Sequence, residues 1–291
     1  LGRHHARWAA KIENIKLAGV YDIDADRAKE IAGEIGCTAF DSPEDFYTAC
    51  DAVSIVVPTS QHCEVAMEAI AAGCHVLIEK PITATLDEAD RLLIAAEQAG
   101  VQVMVGHIER FNPAVQALAG YRIAPKFIEA HRLAAFNPRG TDVAVILDLM
   151  IHDIDLALHL IGHPVHHIAA SAVGVVSETE DIANARLTFA NGAVANLTAS
   201  RISLKPMRKL RLFQSSGYYS LDLAERQADL YRMLDESPSE GEFALPLGES
   251  GKKIGYFKTG DKSKDMLQAE LRAFMEEKIK NKPVPIPGRE G

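Results

Sequence analysis

Residues 76–81 have the sequence VLIEKP, which places a carboxylate, a lysine and a proline directly after a run of apolar residues. The apolar run predicts a buried strand of a parallel sheet, and in open α/β sheets ligands bind beyond the carboxyl ends of the strands. Because a proline disfavours the helical conformation of the residue before it, Pro81 should keep Lys80 extended. The segment therefore predicts a functional lysine at the ligand-binding edge of a sheet, unless the strand has merely reached solvent there.

A second pair of reactive side chains lies four residues apart in the strongly apolar segment 143–161. The segment predicts a buried helix, on which Asp148 and His152 share one face. A carboxylate that orients a histidine gives a proton acceptor suited to catalysis near neutral pH, although the same pair could be purely structural. A metal site that adds His159 is a third interpretation, but no further spacing matches a known metal cluster.

The elements that must position Lys80 alternate between strand and helix up to about Gly106. Gly36, Gly73 and Gly100 each follow a helical pattern, where C-terminal caps are expected. Alternation of this kind predicts a doubly wound parallel sheet, so we assign 1–106 to a Rossmann domain. The predicted strands are 17–21, 52–57, 75–79 and 101–105, and the predicted helices are 6–12, 25–35, 61–71 and 86–99.

After Gly106 the pattern predicts a different architecture, which we assign to a second α/β domain over 107–291. Asn191-Gly192 lies between two strand-like segments and is a strong hairpin signal. Consecutive strands joined by turns predict an open, mostly antiparallel sheet with helices on one face. The composition of 235–264 predicts a long exposed loop, and 263–280 a final helix. The predicted strands are 165–176, 183–189, 193–200, 208–213 and 217–223.

The first 22 residues contain half of a dinucleotide-binding motif. Gly2 begins a helical pattern, and Asp22 follows the first predicted strand about 20 positions later, where an acidic residue binds the ribose hydroxyls. The first strand and the two earlier glycines are expected to precede Leu1. The negative charge of Asp22 favours NAD over NADP, with Arg27 keeping NADP open. Alternatively, Asp22 caps the predicted helix 25–35. Likewise Thr59, after Pro58, either contacts the cofactor or caps the predicted helix 61–71.

Composition excludes several classes of function. The chain is 47% hydrophobic and 24% charged with a net charge of -9, so a globular protein is expected and general binding to nucleic acid is not. Its four cysteines show neither zinc-binding spacing nor a small disulfide framework, which favours reduced thiols and a cytoplasmic location. No apolar run is long enough to span a membrane.

Taken together, these segments resemble the Gfo/Idh/MocA family of NAD(P)-dependent sugar oxidoreductases. The resemblance rests on EKP at 79–81, GHIERFNP at 106–113 and DLMIHDID at 148–155, in this order. It implies a Rossmann domain followed by an α/β domain whose open sheet forms a homodimer or homotetramer. It also implies that the lysine and the Asp–His pair meet at the nicotinamide and that the peptide bond between Lys80 and Pro81 is cis.

The resemblance further implies the cofactor and the substrate class. The chain is most similar to members acting on UDP-sugars, so the predicted reaction is hydride transfer between NAD and a sugar carbon, C3 of a UDP-N-acetylhexosamine. Another sugar or inositol dehydrogenase, or a non-catalytic regulator that binds NAD and sugar, are the alternatives. The predicted cofactor contacts are Gly2, Arg3, Asp22, Pro58, Thr59, His62, Glu79, Lys80 and His107. The predicted substrate contacts are Lys80, Arg110, Arg139, Asp148, His152 and Arg201, with Lys205 and Arg208 as further cations for a diphosphate.

Three residues are predicted to carry the chemistry. Oxidation of a hydroxyl needs an acceptor for its proton, and His152 is predicted to be that base, with Asp148 orienting it. Lys80 is predicted to stabilise the charge on the same oxygen. The roles of His152 and Lys80 are interchangeable at this level.

Overall fold

The computed structural model describes residues 1–137, 143–234, 243–248, 252–279 and 282–291. The chain divides into two compact units, one of Leu1–Ile108 with Asp265–Gly291 and the other of Glu109–Lys264. No described helix is both long and apolar enough to cross a membrane. The helices are α1 (Gly2–Ala9), α2 (Ala25–Ile35), α3 (Pro43–Thr48), α4 (Thr59–Ala71), α5 (Leu86–Ala99), α6 (Pro113–Gln116), α7 (Ile151–Ile161) and α8 (Met266–Ile279). The strands are β1 (Gly19–Val20), β2 (Thr38–Ala39), β3 (Ala52–Ile55), β4 (His75–Glu79), β5 (Val103–Gly106), β6 (Phe127–Leu133), β7 (Val165–Val173), β8 (Ile182–Phe189), β9 (Val194–Ser200), β10 (Met207–Gln214), β11 (Gly217–Asp222), β12 (Gln227–Leu234), β13 (Phe243–Pro246) and β14 (Lys253–Gly260).

The first unit contains two parallel sheets, one of β1 and β2 and the other in the order β3–β4–β5. Val76, Leu77 and Ile78 of β4 are fully buried, as expected for the middle strand of a parallel sheet covered on both faces. Helix α5 begins with a capping box formed by Thr85 and ends at Gly100, which is left-handed. This alternation of strands and helices confirms the predicted α/β fold.

The C-terminal segment Asp265–Gly291 belongs to the first unit, whereas the sequence pattern predicts that it is part of the second domain. Its proline-rich tail lies along β5, where the Val105 amide donates to the Ile286 carbonyl at 3.1 Å. The Gln102 side chain also accepts from the Val284 amide at 3.0 Å. This backbone pairing joins segments far apart in the chain, so no local pattern could indicate it.

The second unit is built on a nine-stranded sheet in the order β13–β14–β12–β11–β10–β6–β9–β8–β7. Neighbouring strands are antiparallel except β6 and β9, which confirms the predicted mostly antiparallel sheet. The predicted hairpin joins β8 to β9, and Gly192 in it has a φ of 80°. The hydrophobic core covers one face of this sheet and includes the fully buried Ile128, Leu156 and Leu197.

The prediction that 235–264 is a long exposed loop is wrong for the described part of this segment. Strands β13 and β14 lie within it, and β14 pairs along its whole length with β12, from Gln227↔Gly260 to Leu234↔Lys253. Glycine, serine and charged residues obscure the strand pattern there. Pairing with β12, rather than local propensity, therefore stabilises this part of the sheet.

The predicted helix over 143–161 is not regular. Ile146–Met150 forms a π-helix, a wide turn whose hydrogen bonds run from residue i to i+5, and α7 follows it directly. Short π-helices are rare and frequently occur at functional sites. This one contains Asp148.

Candidate active site

Three neighbouring strands of the first unit end beside predicted cofactor-binding residues. Pro58 and Thr59 follow β3, Lys80 follows β4, and His107 follows β5. These strands are parallel, so the residues lie at the same edge of their sheet. Lys80 is partly exposed, and its peptide bond to Pro81 is cis, as the resemblance implies. This is the edge at which ligands bind in open α/β sheets.

Neither Asp22 nor Thr59 caps a helix. The cap of α2 is Asp24, whose carboxylate accepts from the Arg27 amide at 3.1 Å. The carboxylate of Asp22 accepts from the Asp24 amide, lies 3.7 Å from the Arg27 guanidinium and is 32% exposed. At α4 the cap position is occupied by Pro58 without a side-chain hydrogen bond. The capping interpretations are therefore wrong, and Asp22 suits the ribose of a dinucleotide.

The side chain of Glu79, the residue before Lys80, contacts a histidine that was not predicted from the sequence. Nε2 of the buried His5 lies 3.1 Å from Glu79 Oε1, and its Nδ1 lies 2.8 Å from Ser54 Oγ. Gly106 pairs with Glu79 across the sheet, and a Cβ at Gly106 would lie 3.2 Å from the Glu79 carboxyl carbon. A larger residue at position 106 would therefore crowd the Glu79 carboxylate. The clue to His5 is a histidine on the buried side of α1.

His62 connects the two turns that follow β3 and β4. Its ring is buried, with Nδ1 2.8 Å from the Pro81 carbonyl oxygen and Nε2 2.9 Å from the Val57 carbonyl oxygen. Both partners are carbonyl oxygens, which accept, so a ring N–H of His62 donates to at least one of them. His62 thus fastens the backbone beside Lys80; its predicted contact with the cofactor remains a prediction.

Gly2 and Arg3, the other predicted cofactor residues, lie at the start of α1. Nothing is within 4 Å of the position that a Cβ on Gly2 would occupy. The Arg3 guanidinium forms an ion pair with Glu30 and lies 3.7 Å from Glu34, both on α2. These contacts join α1 to α2. They also partly neutralise the positive charge with which Arg3 could bind a diphosphate.

Glu270 of α8 is a buried acid that the sequence analysis also missed. Its side chain is fully buried, and among the described residues neither carboxylate oxygen has a hydrogen-bond partner. Desolvation, together with the negative charge of Glu79, raises the pKa of Glu270 well above its usual value. The folded unit therefore favours the protonated carboxyl at a pH where the unfolded chain is ionised.

Replacement of Glu270 by glutamine should stabilise the first unit at mildly alkaline pH. Since the folded state holds a proton that the unfolded state loses, wild-type stability should fall as pH rises above the unfolded pKa, by up to about 1.4 kcal/mol per pH unit. Denaturant titrations from about pH 5 to about pH 8 should show this slope in the wild type and a smaller one in Glu270→Gln.

The control is Glu97→Gln, because the Glu97 side chain on α5 is 78% exposed. This variant should retain the wild-type slope. Equal slopes in wild type and Glu270→Gln would contradict a proton on Glu270.

In the second unit, Asp148 lies in the π-helix and His152 in the first turn of α7. Both side chains are partly exposed. Within the described part of the chain, no group of three histidine, cysteine or acidic side chains is arranged to hold a metal. The metal interpretation that includes His159 therefore has no geometric support.

Arg201 is buried and contacts the backbone where the chain enters the π-helix. Its Nη2 donates to the Val143 carbonyl and, at 2.9 Å, to the Glu180 carbonyl. Nearby, Asp181 accepts three backbone N–H groups, from 175 to 177, and those of Ser177 and Val176 contribute most to lowering its pKa. Arg201 thus has a structural role, and its predicted contact with substrate remains a prediction. Lys205 and Arg208 are exposed, and Arg139 lies outside the described residues.

Arg110 and Arg132 form a buried ionic network with acidic residues of α7. Arg110 pairs with Asp155, and Arg132 with Asp153 and Glu109. Although burial opposes it, the two acids beside Arg132 raise its pKa, which keeps this guanidinium charged. The contact of Arg110 with substrate remains a prediction, and Arg132 was not predicted from the sequence. A buried arginine on a strand has no local signature.

A parallel α/β unit with a lysine at its ligand-binding edge, and a second unit with an Asp–His pair beside an open sheet, are features of two-domain dehydrogenases that use a dinucleotide. Comparison with known proteins gives the same class. The model of the oxidoreductase family with NAD-binding Rossmann fold matches residues 1–107, and that of the GFO/IDH/MocA C-terminal domain matches residues 125–220.

Relatives extend this similarity. The chain is 46% identical to UDP-N-acetylglucosamine 3-dehydrogenase from Acidithiobacillus ferrooxidans over 79% of this chain and 74% of that protein. It is 24% identical to myo-inositol 2-dehydrogenase from Thermotoga maritima over 100% of this chain and 89% of that protein. A solved structure of the Acidithiobacillus enzyme covers 99% of this chain and 89% of that chain with a TM-score of 0.89 and 39% identity. The chain therefore belongs to the Gfo/Idh/MocA family and is an NAD(P)-dependent dehydrogenase, with NAD as its cofactor.

Proposed function

We propose that this protein transfers a hydride between NAD and a sugar hydroxyl carbon, C3 of a UDP-N-acetylhexosamine. The observation that carries the proposal is the 46% identity to a UDP-N-acetylglucosamine 3-dehydrogenase over 79% of the chain. Lys80, Asp148 and His152, which the resemblance assigns to the reacting centre, are all present. Because one fold hosts many functions, it is these residues and this relative, not the fold, that support the substrate.

The reaction removes a hydride from carbon and a proton from the attached oxygen. NAD supplies the hydride acceptor. His152 accepts the proton as general base, and Asp148 orients the imidazole. Lys80 donates a hydrogen bond to the same oxygen and stabilises the negative charge that builds as the O–H bond breaks.

The remaining residues of the site bind rather than react. Asp22 accepts hydrogen bonds from the ribose hydroxyls, and its charge repels a 2′-phosphate, which favours NAD over NADP. Pro58, Thr59 and His107 line the cofactor at the sheet edge. For the diphosphate of the substrate, Lys205 and Arg208 are exposed cations, while the charge of Arg201 is directed to backbone carbonyls of its own unit.

The test is NADH formation, followed by absorbance, from NAD with UDP-N-acetylglucosamine, with UDP-N-acetylgalactosamine or with myo-inositol. We expect turnover with a UDP-N-acetylhexosamine, and product analysis should find the new carbonyl at C3. Turnover with myo-inositol alone would replace the proposed substrate. If NAD raises the melting temperature but no substrate turns over, the cofactor assignment survives and the sugar proposal fails.

We also propose that two copies of the chain associate through the open face of the nine-stranded sheet. A row of aromatic rings crosses this sheet, with neighbouring ring centroids 4.8–5.7 Å apart. Side chains alternate along a strand, so the row lies opposite the face that carries the core. Phe213 and Phe243 are exposed and the other rings of the row are partly exposed, and a contiguous aromatic surface that reaches solvent in this way is typical of an interaction site. The row consists of Phe127, Phe213, Tyr218, Tyr231 and Tyr256, with Phe243 opposite Tyr256.

A charge within this row should separate the copies. Tyr231→Glu places a carboxylate between Tyr218 and Tyr256, and a buried unpaired charge is costly at an interface. Sedimentation velocity should then report a single chain for the variant and a dimer or tetramer for the wild type. Leu204→Glu is the control, since Leu204 lies in a loop and is 99% exposed. A wild-type protein that sediments as a single chain would rule out the association.

A further inference from the structure

Two buried ion pairs anchor α7 through Asp153 and Asp155, which follow His152 in the chain. Arg132 of β6 grips Asp153 with two parallel hydrogen bonds, Nε to Oδ2 at 3.0 Å and Nη2 to Oδ1 at 2.9 Å. Arg110 grips Asp155 through Nε at 3.0 Å and through Nη2 at 2.5 Å to the same oxygen, Oδ1. None of these four residues is more than 7% exposed. Helix α7 is therefore fastened to two different segments of its unit.

The network extends beyond the two pairs. Nη1 of Arg132 donates to Glu109 at 2.8 Å, and Glu109 accepts in turn from the Asn112 amide at 2.8 Å. Three carboxylates thus pair with two guanidinium groups, and Arg208 adds a further positive charge that acts on Asp153. Replacing a buried ion pair by hydrophobic residues is often neutral or stabilising, because desolvation offsets the attraction between the charges. Stability alone does not account for such a cluster.

The geometry of the helix indicates that the two ion pairs restrain the rotation of α7. At about 100° per residue, Asp153 projects about 100° to one side of His152 and Asp155 about 60° to the other. Anchors on both sides resist rotation of the helix about its own axis in either direction. A side-chain tip lies roughly 6 Å from a helix axis, so a rotation of about 10° would move it by about 1 Å. A displacement of this size can reduce a reaction rate by about 10²-fold.

We propose that Arg110 and Arg132 are positioning residues, which fix the rotation of α7 through Asp155 and Asp153 and so direct the His152 imidazole at the hydroxyl it deprotonates. The inference rests on the proposed function, in which His152 is the general base. It assigns the acidic residues of the DLMIHDID segment to two tasks. Asp148 acts on the imidazole itself, while Asp153 and Asp155 hold the helix that carries it.

The double variant Arg110→Met/Asp155→Leu tests the proposal, because it removes both charges of the ion pair together. We expect kcat to fall about 10²-fold with KM for the sugar nearly unchanged, whereas a direct contact of Arg110 with the substrate would raise KM instead. The rise in melting temperature with NAD should equal that of the wild type. The matched control is Glu225→Gln/Lys262→Met, which removes an ion pair whose side chains are 56% and 58% exposed. It should retain wild-type kcat, since exposed pairs contribute little.

A mutant cycle with His152→Ala separates positioning from general damage. If the ion pair acts through His152, then adding His152→Ala to the double variant should cause little further loss. Losses that multiply independently would overturn the proposal. Arg132→Lys should also lose activity, because an ammonium cannot reproduce the parallel hydrogen bonds of a guanidinium; wild-type kcat in this variant would count against the proposal.

If the double variant does not fold, Asp155→Asn decides, since it keeps the shape of the side chain and removes its charge. A lowered kcat with an unchanged response to NAD supports positioning, and wild-type kcat overturns it. Failure of the proposed function has a different signature. Wild-type activity in His152→Ala alone would remove the base from the mechanism, whatever the ion-pair variants do.

Discussion

His152→Ala is expected to reduce kcat by about 10²–10⁴-fold while leaving NAD bound. Without the imidazole, no positioned group accepts the proton that the sugar hydroxyl must lose. An imidazole accepts a proton only in its neutral form, so kcat/KM of the wild type should fall as pH is lowered. The variant should lack this pH dependence. Steady-state NADH formation across pH, beside a melting titration with NAD, measures both effects.

His159→Ala is the control for this experiment, because His159 lies on the same helix and its side chain is exposed. It should retain wild-type kcat and pH dependence. Added imidazole should restore part of the activity of His152→Ala, since it can enter the space left by the side chain. A His152→Ala enzyme with wild-type turnover would show that the base lies elsewhere.

Lys80→Met is the second change with a large expected effect, again a loss of about 10²–10⁴-fold in kcat. Methionine keeps most of the length of the side chain and removes its charge and its donors. The substrate oxygen then develops negative charge without a cation beside it. Because the Lys80 side chain is partly exposed, the fold should be retained, and the melting temperature in the absence of ligand should be near that of the wild type.

The pH profiles of the two variants decide which residue is the base. If His152 is the base, the residual activity of Lys80→Met still falls at low pH. If Lys80 is the base, His152→Ala keeps the low-pH fall and Lys80→Met loses it. Lys29→Met, at an exposed position on α2, is the control and should behave as the wild type.

Much of the first unit could be predicted because its signals are local. Helices α2 and α5 and strand β4 have the predicted bounds, 25–35, 86–99 and 75–79. Each has a periodic apolar pattern, and both helices end at a glycine with positive φ. Lys80 and the Asp148–His152 pair could be named for a similar reason, since each belongs to a short contiguous segment.

What could not be predicted depends on partners distant in the chain. Strand β6 was missed because its buried face contains Arg132 beside Ile128 and Ala130. That arginine is compatible with burial because Asp153, 21 residues away, and Glu109, 23 residues away, pair with it. In the same way, His5 gains its role from Glu79, 74 residues further along. No local pattern contains these pairings, which arise only when the unit folds.

The π-helix at Ile146–Met150 bears on how this gene can diverge. A π-turn holds one residue more than an α-turn, so the loss of one codon here can be absorbed by closing the turn into regular α-helix. Leu147 is the residue whose removal disturbs packing least, since its side chain is 47% exposed. Its deletion would preserve the spacing of Asp148 and His152. The residues before the deletion would shift instead, among them Val145, whose amide donates to the Glu180 carbonyl. A deletion of one residue just before Asp148 therefore need not separate the aspartate from His152.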